Sequence, residues 1–512
     1  MIDGVIIMQY TNILQYLEET VLKVPDKTAF CAQDSTLTFR QTYEASRAVG
    51  SFLYQKGYYK KPVVVFMKKT PEAIAAYLGV IYAGCFYVAL DEEMPKHRIE
   101  LIIQTVKAGM VICDETTGEM IREYGFDGEV CQYSQIVQTG IDEEALEKVR
   151  DAQTDIDPIY AVFTSGSTGV PKGVLACHRS VIDYIENLSE VLQFDSDTVY
   201  GNQAPFYFDA ALKEIVPTMK FGATTHIIPK SLFMFPIKLV EFLNEHKINT
   251  ICWAASALTI VSSFRTFEKI RPEYIKRVVF VGEVFPIKQL NMWKEVLPDA
   301  LYVNLYGPTE TTGVCCYYKV DREFALDETL PVGRPFHNTS ILLLNDDLTQ
   351  TPFGEVGEIC VKGTCLTLGY YNNPEKTREA FIQNPLNDMY PETIYRTGDL
   401  GRYNERGELC YVSRKDYQIK HMGHRIELGE IEVVVNMHKG IRTNCCIFDD
   451  IKKKIVLYYV GDATRAEVAE FTKEKLPRYM FPNVIVQLEN MPYTANGKID
   501  RVSLKNKYNE EK

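Results

Sequence analysis

Short apolar runs alternate with amphipathic stretches through most of this chain. Runs at 62–67, 85–90, 110–113 and 160–163 lack strict polar alternation and read as strands buried on both faces. Helices are expected at 12–21, 39–54, 71–83 and 178–191, with a short strand at 29–31. Thr38 and Gln41 have capping-box spacing at the start of the second helix. Downstream, strands at 224–228, 250–253, 277–281 and 301–305 alternate with helices at 210–221, 239–246 and 287–296. This βα rhythm predicts mostly parallel sheets covered by helices. From Ser340 short strands dominate (340–345, 357–361, 408–412), which predicts a β-rich subdomain. After Lys415 the pattern becomes a compact α+β unit, with strands at 417–420, 443–448, 455–460 and 484–488 and helices at 427–437 and 465–476. The expected fold class is therefore α/β, with a large amino-terminal domain, a β-rich subdomain and a small α+β domain.

Length and composition narrow the class. At 512 residues the chain exceeds one ordinary core. An apolar fraction of 46% and a charged fraction of 24% fit a soluble globular protein. A net charge of −12 argues against nucleic-acid or anionic-membrane binding. The 13 cysteines show no metal-binding spacing and read as reduced, mostly buried thiols of a cytoplasmic protein. The start, M-I-D-G-V-I-I-M, is a poor secretory signal. Residues 73–90 run 18 positions without a charge, the edge of transmembrane length. Gly79, Gly84 and three tyrosines within it favour a buried helix followed by a buried strand over stable membrane insertion.

The densest chemistry lies at 160–173, Y-A-V-F-T-S-G-S-T-G-V-P-K-G. After a β-type run come Thr164, Ser165, Gly166, Ser167, Thr168 and Gly169, and then Lys172. Glycines let the backbone approach a ligand, successive N–H groups form an anion nest, and a lysine adds charge. The order is not that of a Walker A loop, since Pro171 precedes the lysine and Gly173 follows it. The residues by themselves indicate a phosphate loop of open class.

That loop resembles the signature of the adenylate-forming enzymes, the superfamily of acyl-CoA synthetases, luciferases and peptide-synthetase adenylation domains. Further motifs follow in the family's order: A-G-C-F-Y-V-A-L-D (83–91), F-D-A-A-L-K-E (208–214), N-L-Y-G-P-T-E-T-T (304–312), G-E-I-C-V-K-G (357–363), Y-R-T-G-D-L (395–400), R-K-D-Y-Q-I-K (414–420), R-I-E-L-G-E-I-E (425–432) and N-G-K-I-D-R (496–501). Within the superfamily the chain is most similar to stand-alone amino-acid adenylation domains. G-E-V-F-P at 282–286, and an end soon after N-G-K-I-D-R, resemble D-alanine–carrier protein ligases.

The resemblance implies ATP and Mg²⁺ as cofactors and two half-reactions: a carboxylate attacks the α-phosphate of ATP, and a thiol then displaces AMP. It implies a domain boundary at 415/416 with a hinge at Asp416. Glu310 is the expected Mg²⁺ ligand, a role that suits one carboxylate sharing the ion with phosphates. Thr309 faces the α-phosphate, and Gly307 shapes the same turn. Asn304 meets the adenine amino group, Tyr306 stacks on the base, Asp399 takes the ribose hydroxyls, and Arg414 lies near ribose and phosphates. Lys498 is the expected catalytic lysine of adenylate formation. Lys420 is carried towards the site when the small domain swings for thiol transfer.

Asp209 matches the aspartate that holds the substrate α-amino group, with an N-cap for a helix starting at Ala210 as the alternative role. Ala210, Lys213, Cys252, Val279, Val281, Gly282, Leu305, Gly313 and Val314 match the rest of the substrate pocket. D-alanine ligases carry cysteine where Val281 stands, a departure from that pattern. Lys213 either pairs with an acidic substrate side chain or snorkels to solvent. The expected partners are an amino acid and a separate phosphopantetheinylated carrier protein, or coenzyme A in place of the carrier. The alternatives are an acyl- or aryl-CoA ligase and a catalytically silent nucleotide-binding regulator.

Overall fold

The structure is a computed structural model and describes residues 10–164, 170–326, 328–415, 418–492 and 499–510. Ser165, Gly166, Ser167, Thr168, Gly169, Asp416 and Lys498 lie outside the described residues, as does the start of the chain. The chain divides into two compact units. One comprises Met1–Glu92, Ala108–Val162 and Gly173–Ser413, the other Glu93–Lys107, Phe163–Lys172 and Arg414–Lys512. Two short segments of the amino-terminal part thus group with the carboxy-terminal unit.

In the first unit a run of parallel strands forms the middle of a nine-stranded sheet. In spatial order it holds Leu301–Tyr306, Arg277–Val281, Thr250–Ala254, Val199–Asn202, Thr224–Ile227 and Thr28–Cys31. Antiparallel strands Cys316–Lys319 and Thr36–Thr38 flank this run. A six-stranded sheet is built around Met110–Cys113, Pro62–Phe66 and Phe86–Leu90, which are parallel. Strands Thr339–Leu344, Gly357–Gly363, Thr393–Tyr403 and Phe381–Gln383 form an antiparallel sheet with Leu409–Arg414 beside it, the expected β-rich part.

Local chemistry sets the element ends. Thr38 Oγ1 accepts from Gln41 N–H at 3.2 Å, and Gln41 Oε1 accepts from Thr38 N–H at 2.9 Å, closing the capping box of helix Phe39–Gln55. Helix Pro71–Tyr82 has proline in its first turn and is almost wholly buried. Gly84, at φ +68°, turns the chain into strand Phe86–Leu90. The uncharged stretch 73–90 is thus interior helix and strand. Among the described residues no helix is long and apolar enough to cross a membrane.

The second unit holds the hairpin Gln418–His421 and His424–Glu427 and a sheet of Ile441–Asp449, Lys454–Gly461 and Val484–Gln487. Helices Leu428–Asn436 and Arg465–Lys475 close its core over Ile431, Val435, Leu457 and Tyr459.

Candidate functional site

Three parallel strands carry the positions expected to line a substrate pocket. Cys252 pairs in register with Val279, and Val281 pairs with Leu305. Side chains two apart on a strand share a face, so Cys252, Val279, Val281 and Leu305 stand on one side of the sheet. They pack in one apolar cluster with Val314 and Ala210. Gly282 and Gly313 adopt φ of +91° and +85°, a backbone that L side chains rarely take. Glu283 Oε2 accepts from Ser256 N–H at 3.1 Å and ties the turns after two of these strands together.

Asp209 begins the 3₁₀ turn Asp209–Ala211 and does not cap it; the cap position is Phe208, and the α-helix starts later, at Leu212. Asp209 is 8% exposed, and its Oδ2 has no hydrogen-bond partner among the described residues. A Cβ on Gly313 would stand 3.5 Å from the Asp209 carboxyl carbon, so the glycine leaves the acid uncovered on that side. Burial pushes this carboxyl above the usual range, against the pull of Thr309 and Lys213. Lys213 is 1% exposed, which excludes snorkelling to solvent.

The turn after strand Leu301–Tyr306 is pinned from several sides. Thr311 Oγ1 donates to Pro308 O at 2.9 Å and Thr312 Oγ1 to Cys365 O at 2.8 Å. Thr367 N–H donates to Glu310 O at 3.1 Å. The Tyr370 hydroxyl donates to Glu310 Oε1 at 2.7 Å and orients a carboxylate that is fully buried. Among the described residues no group of three or more His, Cys, Asp or Glu could hold a metal ion. A single fixed carboxylate is the donor that Mg²⁺ shared with nucleotide phosphates uses, so Glu310 fits that ion.

On strand Thr393–Tyr403, Asp399 accepts from the Tyr306 hydroxyl at 2.6 Å, and its own N–H donates to Thr397 Oγ1 at 3.0 Å. Burial, and next the Asp399 charge, raise the Tyr306 phenol well above its ordinary pKa, so the hydroxyl stays a donor. Asn304 Nδ2 donates to Pro331 O at 2.8 Å. Its Oδ1 is thereby left facing away as an acceptor, which suits an exocyclic amine.

Thr164 ends strand Pro158–Thr164 and Lys172 opens strand Lys172–Cys177. Both belong to the second unit, as do Arg414 and Lys420. The first unit thus holds Asp209, Asn304, Tyr306, Gly307, Thr309, Glu310 and Asp399 together with this apolar cluster. Sequence reasoning missed Tyr370, whose only signal was the G-Y pair at 369–370.

The family model of AMP-binding enzymes matches residues 17–371. The chain belongs to this adenylate-forming family. This AMP-binding enzyme is 31% identical over 510 residues to tyrocidine synthase 1 of Brevibacillus parabrevis, covering 97% of the chain but 45% of that protein. It therefore spans less than half the length of that relative. An artificially fused adenylation–PCP di-domain of peptide-synthetase type from Klebsiella oxytoca superposes with a TM-score of 0.79 at 21% identity, covering 94% of both chains. A double-mutant o-succinylbenzoate CoA synthetase from Bacillus subtilis superposes with a TM-score of 0.83 at 20% identity, covering 97% and 98%. The two structures share the fold of this AMP-binding enzyme.

Proposed function

We propose that the enzyme activates an amino acid with ATP and passes it to a thiol. The substrate carboxylate oxygen attacks the α-phosphorus, the bond to pyrophosphate breaks, and an aminoacyl-adenylate forms. The phosphopantetheine thiol of a separate carrier protein then attacks the acyl carbon, and the bond to AMP breaks. The observation that carries this reading is Asp209, a buried carboxylate with one oxygen unpartnered. A buried acid of this kind requires a cation or donors, and a substrate α-ammonium supplies both.

The remaining residues divide the work of phosphoryl chemistry, which is mostly positioning and charge neutralisation. Asp399, fixed by Tyr306, accepts from the ribose hydroxyls, and Asn304 Oδ1 accepts from the adenine amine. Thr309 donates to the α-phosphate. Mg²⁺, when bound at Glu310, offsets the negative charge gathered on the phosphates. Ser165, Gly166, Ser167, Thr168, Gly169 and Lys172 cradle the leaving pyrophosphate. Lys498 serves the first half-reaction and Lys420 the second, with the 416–512 domain alternating about Asp416. Arg414 holds the ribose and phosphates.

The pairing of adenylation and PCP domains in the Klebsiella oxytoca di-domain supports a carrier-bound thiol as acceptor. All thirteen cysteines are free, which supports a cytoplasmic location. The motif at 282–286 resembles that of the D-alanine ligases, while Val281 departs from it. A CoA ligase is the second reading, favoured by the shared fold with the CoA synthetase but not by a buried aspartate that such substrates leave unpaired.

Amino-acid-dependent ATP–pyrophosphate exchange tests the proposal, with D-Ala, L-Ala, Gly, Ser, Glu, Asp and larger apolar amino acids beside fatty and aryl acids. Exchange with one or more amino acids supports it. Exchange confined to acids without an amine overturns it in favour of the CoA ligases, and ATP binding without any exchange would indicate a silent regulator. Lys498→Ala is expected to stop adenylate formation and to spare transfer from supplied adenylate.

A further inference from the structure

Helix Lys96–Val106 buries Ile99, Ile102 and Val106 together with one charged residue, Arg98. Arg98 Nη1 donates to Glu430 Oε1 at 2.8 Å, and neither side chain is more than 7% exposed. Glu430 stands in the first turn of helix Leu428–Asn436. A buried pair of this kind is charge-assisted, and removing one partner strands the other charge in the interior. Both residues belong to the second unit. The strands that precede and follow Arg98 in the chain, Phe86–Leu90 and Met110–Cys113, belong to the first.

Glu432, two positions further along the same helix, makes the contrast. Its two oxygens accept from Arg501 Nη2 at 2.5 and 2.7 Å, and Oε1 also accepts from Cys446 N–H at 2.7 Å. Residues two apart on a helix point about 200° away from each other. Glu432 therefore ties the helix to its own domain, while Glu430 faces a residue 332 positions earlier in the chain. Helix Arg465–Lys475 also packs against Lys96–Val106. The hairpin that carries Lys420 runs directly into the Glu430 helix, so holding Glu430 holds the base of that hairpin. Arg501, three residues after Lys498, is bound on the opposite side of the helix.

We infer that Arg98 is a positioning residue for thiol transfer: its ion pair with Glu430 is a latch that holds the 416–512 domain in the arrangement presenting Lys420. This rests on the domain alternation proposed above. Segment 93–107 is continuous at both ends with strands of the first unit, so it does not travel with a domain that turns about Asp416. The pair therefore opens for adenylate formation and closes again for transfer. The planar guanidinium suits such a contact, since its fixed fork is ready to meet a carboxylate each time the domain returns.

The test measures the two half-reactions separately on the full chain and on Arg98→Met and Glu430→Gln. One assay is ATP–pyrophosphate exchange with the acid that exchanges best. The other is single-turnover transfer of that acid from its supplied adenylate to pantetheine. Transfer is expected to fall by about tenfold or more in each variant, while exchange stays within about twofold or rises. The variant carrying both substitutions should lose less than the product of the two single losses, because one pair can be lost only once. Arg98→Lys keeps the charge without the fork and should fall between wild type and Arg98→Met. Equal losses in both half-reactions would make the pair merely structural and overturn the inference, as would transfer at the wild-type rate. Lys498→Ala tests the alternation separately: loss of both half-reactions there overturns that reading, whatever the Arg98 variants show. If a single variant does not fold, as judged by its thermal melt, Arg98→Lys and the double variant decide the question.

Discussion

The Tyr370 hydroxyl donates a 2.7 Å hydrogen bond to Glu310 Oε1, joining a residue near the end of the family match to the turn that follows strand Leu301–Tyr306. Glu310 is fully buried, so this bond sets where its second oxygen points. Partners that orient a metal ligand typically matter by about tenfold or more in metal affinity or activity. Tyr370→Phe is therefore expected to raise the Mg²⁺ concentration for half-maximal exchange by about tenfold, with a smaller effect at saturating Mg²⁺. A magnesium titration of the exchange rate checks this. An unchanged half-point would remove Glu310 as the ligand.

The Tyr306–Asp399 bond, at 2.6 Å, makes a similar case for the nucleoside. Asp399 is 1% exposed, and losing a donor to a buried carboxylate raises the cost of its charge. Tyr306→Phe keeps the ring for stacking and removes only the donor. The KM for ATP should rise by about tenfold with a smaller change in kcat. A kcat loss at unchanged KM would place Tyr306 at the reacting phosphate instead.

Much of this was legible in the chain, and what escaped had physical causes. The capping box at Thr38, the buried strands and the βα rhythm follow from local rules, and the structure shows them. Strand Thr393–Tyr403 escaped because Arg396, Thr397, Gly398 and Asp399 look like a turn. The strand holds because Glu358, on the neighbouring strand, pairs with Arg396 at 2.6 Å and accepts from Gly398 N–H at 3.2 Å. Asp209 looked like a helix cap because caps and ligand-binding acids use the same residue type; only burial separates them. Lys213 stood out as a pocket position by motif, but only burial decides against its snorkelling to solvent.

Gly307 opens the turn that carries Thr309 and Glu310. A Cβ there would lie 2.5 Å from Val314 Cα and 2.8 Å from Cys315 N. These are backbone atoms, held in place by Cys315 N–H donating to Tyr306 O at 2.8 Å. Neither can move without displacing Gly313, which borders Asp209. Gly307→Ala is expected to destabilise the fold by about 2 kcal/mol. Because the strain falls on the turn, exchange activity should drop even at temperatures where the variant is fully folded. Chemical denaturation and exchange on the same preparation separate the two effects. Wild-type stability in the variant would mean that the turn has room to relax.

His178 gives the molecule a pH dependence unrelated to catalysis. It is fully buried at the start of helix His178–Leu192, and Nδ1 accepts from Ile13 N–H at 3.2 Å, which requires an unprotonated Nδ1. Burial, and next the nearby Arg150, lower its pKa from 6.5 to about 3. Between these values the unfolded chain binds a proton that the folded chain refuses, so stability rises with pH across that window. The contribution is complete above pH 6.5 and is lost as pH falls towards 3; at pH 5 about 2 kcal/mol of it is gone. His178→Gln keeps an acceptor for Ile13 and removes the titration. The variant should be less sensitive than wild type to a shift from pH 7.5 to 5, by about that amount. Denaturant midpoints at both pH values measure it, and parallel losses in the two proteins would mean that His178 is protonated in the folded state.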